Sequence, residues 1–304
     1  MYAVITGASS GIGEQFAKRL AKEGYDLILV ARRRERLTAL SDKLKATHKE
    51  LKCDIFTADL MQLDECQRLS DYLEEKDIEI FINNAGYGDC GLFEETDIAK
   101  EMGMIDVNVR AVHFLTKKLL KQMRVKDRGF ILNVASSAGL IPAGPYMAAY
   151  YASKAYVASL SRAVACELRQ SHSHVYVGCL CPGPVDTEFN DVANVRFALK
   201  GISAEYCANY AIDRMMKHCR RGTAQHRRQH RPEPVLWVPV EKHRLPRLDR
   251  RKRAQDQNPG ASVVQRRDRV VDPLHHRAAM SASTASSFVA HEQTKRPASC
   301  SSST

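Results

Sequence analysis

Tyr2-Ala3-Val4-Ile5-Thr6-Gly7-Ala8-Ser9-Ser10-Gly11-Ile12-Gly13 is the stretch that decides the fold of this chain. Its first five residues form a short apolar run rich in strand formers. Three glycines follow, and Glu14 to Glu23 then has helical periodicity, with Phe16, Ala17, Leu20 and Ala21 on one face. Strand, glycine turn and helix in that order place backbone N–H groups and a helix N-terminus against a phosphate. Gly7 permits the tight turn, Gly11 lets a pyrophosphate approach the backbone, and Gly13 lets the helix close on the strand. Ser9, Ser10 and Ile12 belong to the same turn. A glycine-rich turn without a ligand has the same composition, so its surroundings must decide.

The next strand, Asp26 to Ala31, ends in Arg32-Arg33-Arg34. In a dinucleotide-binding fold this strand end faces the adenosine ribose, where an acidic residue accepts from the 2′-OH of NAD. Here no carboxylate follows Ala31, and a guanidinium from Arg32 or Arg33 can grip a 2′-phosphate in a bidentate way. NADP is therefore favoured over NAD. Arg34 fits better as the solvated start of a helix over Glu35 to Lys49, and that plainer account applies in principle to all three arginines.

The alternation continues. Lys52 to Ala58 is a strand closed by Asp59-Leu60, and Leu63 to Glu75 is an amphipathic helix. Glu79 to Ile82 is a strand ending in Asn83-Asn84-Ala85-Gly86, whose asparagines either bond backbone locally or hold a turn over a cofactor. Thr96 to Met123 reads as a long helix with Asn108 inside it, a residue that bends a helix or binds water there. Arg128 to Ala135 is a strand leading into Ser136-Ser137-Ala138-Gly139. A helix then runs to about Gln170, and Val175 to Leu180 is a strand followed by Cys181-Pro182-Gly183-Pro184-Val185-Asp186-Thr187. Parallel neighbours need crossover helices, so this rhythm predicts an α/β, doubly wound parallel sheet over residues 1–181. Ligands in such sheets sit beyond the carboxyl ends of the strands. Every motif named so far lies there.

The helix after the fifth strand carries Ala149-Tyr150-Tyr151-Ala152-Ser153-Lys154-Ala155-Tyr156-Val157. Tyr150 and Lys154 stand one turn apart on one face. A free phenol titrates near ~10 and is a poor acid or base at neutral pH. An ammonium beside it favours the phenolate and brings its pKa toward working pH. The spacing alone is common. Tyr151 points about 100° away around the helix and reads as a packing aromatic.

Charge is unevenly spread. Up to residue 216 there are 27 Lys and Arg against 28 Asp and Glu, a net of −1; beyond it there are 19 against 7, a net of +12. The excess lies in basic clusters (His218–Arg221, His226–Arg231, Arg250–Arg253) without apolar periodicity, followed by a Ser-rich end from Ser281. Low hydrophobicity with high like charge predicts disorder over 217–304. Three accounts of this tail stand: a nucleic-acid-binding extension, disfavoured because stacking aromatics are missing; a flexible tail; or out-of-frame sequence past about residue 217, which the abrupt loss of pattern favours. Nine scattered cysteines read as reduced thiols; Cys179 and Cys181 share a strand face, but no second pair lies at zinc spacing, so no metal site is expected. Met1 leads straight into an apolar strand, and no apolar run approaches ~18 residues. Neither a signal peptide nor a membrane span is expected, and cytoplasm is the default location.

With these pieces together, residues 2 to about 216 resemble a single-domain short-chain dehydrogenase/reductase, with a Rossmann-like, three-layer fold. The matches, in family order, are Thr6–Gly13, Asn83–Gly86, Asn108 in Val107-Asn-Val109, Ser136, Tyr150-x-x-x-Lys154, and Pro182-Gly183 with Thr187. The resemblance implies that Tyr150 is the general acid/base of a carbonyl/secondary-alcohol oxidoreductase. It implies that Lys154 lowers the pKa of Tyr150 and bonds the nicotinamide ribose. Ser136 would bond the substrate oxygen and Asn108 would hold the water of a proton relay. Thr187 is implied at the carboxamide and Asp59 near the adenine, with Leu60, Asn84, Ala85, Gly86, Pro182, Gly183 and Val185 along the NADP cleft. Ser137 fits the family's distance to the tyrosine, whereas Ser136 fits the local strand-end pattern and is preferred. A small-molecule substrate and a homo-oligomer are expected. The apolar loop 184–202, with Phe189, Val192, Val195, Phe197 and Leu199, suits a hydrophobic substrate or a packed lid. The chain departs from the family after Met216. No seventh strand stands at 219–225, and the run Val235–Val238 that might replace it is crowded by Pro232, Pro234 and Pro239. A dinucleotide-binding protein without turnover is the alternative.

Overall fold

The computed structural model describes residues 1–142, 144–195, 200–220 and 235–237. The basic clusters beyond Arg220, the Ser-rich end, Phe197 and Leu199 fall outside the described residues. The elements are β1 (Tyr2–Thr6), α1 (Gly11–Lys22), β2 (Asp26–Ala31), α2 (Arg34–Thr47), β3 (Cys53–Thr57), α3 (Leu63–Glu74), β4 (Ile78–Asn83) and α4 (Ile98–Ile105). A π-helical segment (Asp106–Ala111) joins α4 to α5 (Val112–Lys126). Then come β5 (Phe130–Val134), a 3₁₀ turn (Ser137–Gly139), α6 (Ala148–Gln170), β6 (Tyr176–Cys181), β7 (Val185–Asp186), α7 (Phe189–Val192), β8 (Ile202–Ser203), α8 (Ala204–Arg220) and β9 (Val235–Trp237).

The main sheet is wholly parallel, in the order β3-β2-β1-β4-β5-β6-β9. Its strands read as continuous apolar runs because both faces are covered by helices. Alternation sorts them: Ala3, Ile5, Leu27, Leu29, Ile80 and Leu132 turn toward α1, α2 and α8, while Val4, Ile28, Val30, Phe81 and Ile131 turn toward α3, α5 and α6. On α1 the residues Phe16, Ala17, Leu20 and Ala21 are buried, as the helical periodicity predicted. Truncating a fully buried ring such as Phe16 to Ala should cost about 3–5 kcal/mol.

The doubly wound sheet expected from the sequence is therefore present. Two details differ. The long helix expected over Thr96–Met123 is interrupted by the π segment, and Asn108 sits inside it. The seventh strand comes from Val235–Trp237, with Cys179 opposite Val235 and Cys181 opposite Trp237. The neighbouring prolines do not forbid it, because β9 is an edge strand that pairs on one side only. Among the described residues no helix is long and apolar enough to cross a membrane.

Candidate active site

Strand order reverses between β1 and β4, and the crevice beyond their carboxyl ends is where such sheets take ligands. Two side chains stitch that point together. Thr6 Oγ1 accepts from the backbone N–H groups of Asn84 and Ala85 at 2.9 and 3.0 Å, and Asn84 Nδ2 donates to the carbonyl oxygens of Thr6 (3.0 Å) and Gly7 (3.3 Å). The Asn84 amide thus serves the local backbone. Asn83 is buried and donates to Thr116 Oγ1 and Asn133 Oδ1, which makes it part of the sheet's interior network. Gly7 has φ +66°, a left-handed conformation that glycine tolerates. A Cβ on Gly13 would collide with the Gly7 carbonyl oxygen, so the close helix–strand packing requires glycine there.

The N-cap residue of α1, Ser10, makes no capping bond through its side chain. Its hydroxyl, with that of Ser9, instead accepts from Arg33: Nη2 lies 2.9 Å from Ser10 Oγ and 3.1 Å from Ser9 Oγ. Arg33 Nη1 donates to Glu188 Oε2 at 3.0 Å, and Arg36 bonds the other oxygen of the same carboxylate. Burial raises the Tyr87 phenol, and the Arg32 charge acts on it in the opposite sense. Arg34 opens α2, as expected. Across the crevice, a Cβ built on Gly11 would meet Thr187 Cγ2 at 3.2 Å, so the glycine turn and the residues after β6 face each other. Val185 is buried in β7, Gly183 is half-buried, and the Pro182 carbonyl accepts from Ser137 N–H at 2.7 Å. Ile12 packs against the core, Leu60 is buried, and Asp59 Oδ1 accepts from Met61 N–H at 3.2 Å.

Four predicted catalytic residues meet beyond the ends of β4 and β5. Tyr150 and Lys154 are both buried on α6. The Ser136 hydroxyl accepts from Ala138 N–H at 3.2 Å, and its influence on the Tyr150 phenol is to lower the pKa. Ser137 starts the 3₁₀ turn and is tied through its backbone to Pro182. Asn108 is fully buried: its Oδ1 accepts from Tyr87 N–H (3.1 Å), and its Nδ2 donates to the Tyr87 carbonyl (2.8 Å) and Ser153 Oγ (3.1 Å). A Cβ on Gly86 would lie 2.6 Å from Asn108 Oδ1 and 3.2 Å from Lys154 Nζ, so the Asn83–Gly86 turn covers both.

The electrostatics differ from the sequence-based expectation. Lys154 Nζ donates to the Val134 carbonyl oxygen at 3.0 Å and stands 5.8 Å from the centre of the Tyr150 ring. Burial pushes the Tyr150 phenol up to about 12, against a downward pull from the Ser136 side chain. Burial likewise draws the Lys154 ammonium down to about 8, while Cys179 and Cys181 act in the opposite sense. Lys154 was expected to lower the phenol. Desolvation is the largest influence on both groups. At neutral pH the phenol holds its proton.

Around the Tyr150 ring lie Met104, Ala138, Met147, Ala193 and Val195, with Phe189 at 5.4 Å and Tyr151 edge-on at 6.4 Å between ring centres. Tyr151 is the packing aromatic that its position on the helix predicted. Sequence reasoning missed Arg36 and Glu188. Arg36 follows Arg33 by one helical turn, a signal that was present; Glu188 lies more than 150 residues away, and nothing local announces it.

The protein family described as short chain dehydrogenase matches residues 1–196. A very-long-chain 3-oxoacyl-CoA reductase-like protein of Arabidopsis thaliana is 34% identical over 172 residues, 56% of this chain and 55% of that protein. A 7beta-hydroxysteroid dehydrogenase of Mediterraneibacter gnavus is 32% identical over 176 residues, 58% of this chain and 66% of that one. The chain thus spans little more than half the length of the Arabidopsis relative. Among solved structures, a short-chain dehydrogenase from Sphingobium yanoikuyae in complex with NADPH superposes with a TM-score of 0.70 at 29% identity, covering 79% of this chain and 88% of that one. A short-chain dehydrogenase/reductase from Burkholderia phymatum in complex with NAD gives 0.65 at 27% identity, covering 71% and 86%.

Proposed function

The chain belongs to the short-chain dehydrogenase family, and from that premise we propose that it moves a hydride between NADP(H) and a carbonyl/secondary-alcohol pair, with Tyr150 carrying the proton. One observation carries the reading: a buried tyrosine one helical turn from a buried lysine, at the strand ends beside the glycine turn. The donors fit a nicotinamide dinucleotide. Gly7, Ser9, Ser10, Gly11 and Gly13 form the turn that opens α1, packed too closely on Asn84, Ala85 and Thr187 for side chains at the glycines, and Arg33 and Arg36 offer a second anion site beside it. Both an NADPH-bound and an NAD-bound structure resemble the chain, so the preference for NADP rests on those arginines.

The nicotinamide group, when bound, supplies or accepts the hydride. The protein's own groups supply the proton and the positioning. Tyr150, neutral at pH 7, donates to the substrate oxygen during reduction. Ser136 would align that oxygen beside the phenol. Lys154 would hold the nicotinamide ribose and restore the proton at Tyr150. The side-chain amide of Asn108 is committed to Tyr87 and Ser153, so a relay water would be held by the backbone of the π segment. The apolar surroundings of Tyr150 favour a hydrophobic ketone, a class to which the names of the 3-oxoacyl and hydroxysteroid relatives also point.

The test is to incubate the protein with NADPH and a panel of 3-oxoacyl thioesters, oxosteroids and small ketones, and to follow oxidation of the cofactor. The family match stops at residue 196, which keeps a second reading in play: a dinucleotide-binding protein without turnover. Binding of NADPH with no oxidation by any carbonyl selects it. A homo-oligomer completes the reading, supported by the exposure of Ile98, Met102 and Ile105 on α4, and sedimentation measures it.

A further inference from the structure

The end of β2 carries no acidic residue, yet the fold brings one to it. Glu188 follows Thr187 in the segment after β6 and spans both arginines of the anion site, with one carboxylate oxygen on Arg33 and the other on Arg36. A carboxylate bridging two guanidinium groups uses the same planar donors that a phosphate uses. Arg36, then Arg33, hold its pKa below the ordinary glutamate value, so it is ionised at neutral pH. The next residue is Phe189, whose ring packs on Tyr150. At the other end of α7 the Val192 carbonyl accepts from Lys100 Nζ at 3.2 Å, and Lys100 also pairs with Asp89 at 2.7 Å. The short helix is thus clasped at both ends, above the proton donor.

We propose that Glu188 sets cofactor selectivity as a tethered competitor: its carboxylate occupies the Arg33 and Arg36 donors that grip the 2′-phosphate, so capture of that phosphate releases Glu188 and loosens Phe189 from Tyr150. This rests on reading Arg33 as the 2′-phosphate ligand. NADH carries no group to displace the carboxylate and leaves the clasp shut. The competitor is held by half-exposed groups, with side-chain exposures of 42–49% for Arg33, Arg36 and Glu188, so its effect is modest and reversible. The arrangement converts the presence of a phosphate at one end of the crevice into access to the phenol at the other through the adjacent residues 188 and 189.

The experiment measures dissociation constants of NADPH and NADH by calorimetry on the full-length protein, Glu188→Gln and Arg33→Ala, with hydrogen exchange across 187–194. Glu188→Gln should tighten NADPH about threefold to tenfold and leave NADH within about twofold. In the unsubstituted protein NADPH, and not NADH, should speed exchange of the Val192 and Ala193 amides, and in Glu188→Gln these amides should exchange fast before any cofactor is added. If NADPH preference stands but Glu188→Gln weakens NADPH or changes neither constant, the competitor idea falls alone. If the protein binds NADH as tightly as NADPH, and Arg33→Ala affects both equally, the cofactor reading falls and takes this inference with it.

Discussion

The two ends of the crevice are built on opposite physical principles. The proposed proton-transfer end is buried: Asn108, Tyr150 and Lys154 sit among strands and helices, with Asn108 and Lys154 tied by short bonds to backbone. The phosphate end is a surface ion network of Arg33, Arg36 and Glu188 in which every partner is about half exposed. Burial at the first end overrides the influence of neighbouring charge and sets protonation states. At the second end, charge acts at a distance that salt and a competing anion can reach. On the proposed reading, removing a group in the first region should change the reaction, and removing one in the second should change what binds, and how readily.

The largest effect that separates the two ends is expected of Tyr150→Phe. Losing the hydroxyl removes the proton donor and should lower turnover by about 10²–10⁴-fold, while NADPH binding stays within a factor of about two. Equal losses in turnover and binding would break the distinction. Next comes the pH dependence of Lys154. Its folded pKa of about 8 lies below the ordinary 10.5, so between these values the unfolded chain holds a proton that the folded protein has released. Stability from this group is lowest below pH 8 and rises with pH. The stability of the unsubstituted protein relative to Lys154→Met should therefore grow by about 2 kcal/mol from pH 8 to pH 10, read from urea melts. Above that window Tyr150, held at about 12, contributes the opposite slope. Asn108→Ala leaves the Tyr87 N–H and carbonyl without their partner in a part-buried place and should cost about 1–3 kcal/mol in the same assay.

The buried end was also the legible one. Tyr2–Thr6, the glycine turn and the alternation of strands and helices are local patterns, and local patterns fix which residues meet at strand ends. The choice of Ser136 over Ser137 followed from strand-end geometry; Ser136 acts on the Tyr150 phenol, and Ser137 is engaged through its backbone with Pro182. Two properties were not legible. The raised phenol comes from burial by Met104, Met147 and Phe189, which gather only in three dimensions. Glu188 reaches Arg33 across 155 residues, so a strand end that reads as free of carboxylate is not. Comparing Ser136→Ala with Ser137→Ala tests the local argument directly. The first should lower turnover about 10- to 100-fold, at the weak end of what proton-transfer partners contribute, and the second about twofold or less.

The smallest effect is the one that isolates the exposed end. An ion network whose members are 42–49% exposed is worth at most about 1 kcal/mol, and the Debye length falls from about 10 Å at 0.1 M salt to about 3 Å at 1 M. Raising salt across that range should therefore speed hydrogen exchange at the amides of Val192 and Ala193, whose bonds to the Glu188 and Phe189 carbonyls persist only while α7 is held in place. The expected change is about fivefold or less. Over the same range the amide of Tyr87, locked to the buried Asn108, should exchange at an unchanged rate, because no screening ion reaches it. A parallel rise at Tyr87 would mean that both ends open as one unit, and that the crevice has a single stability rather than two.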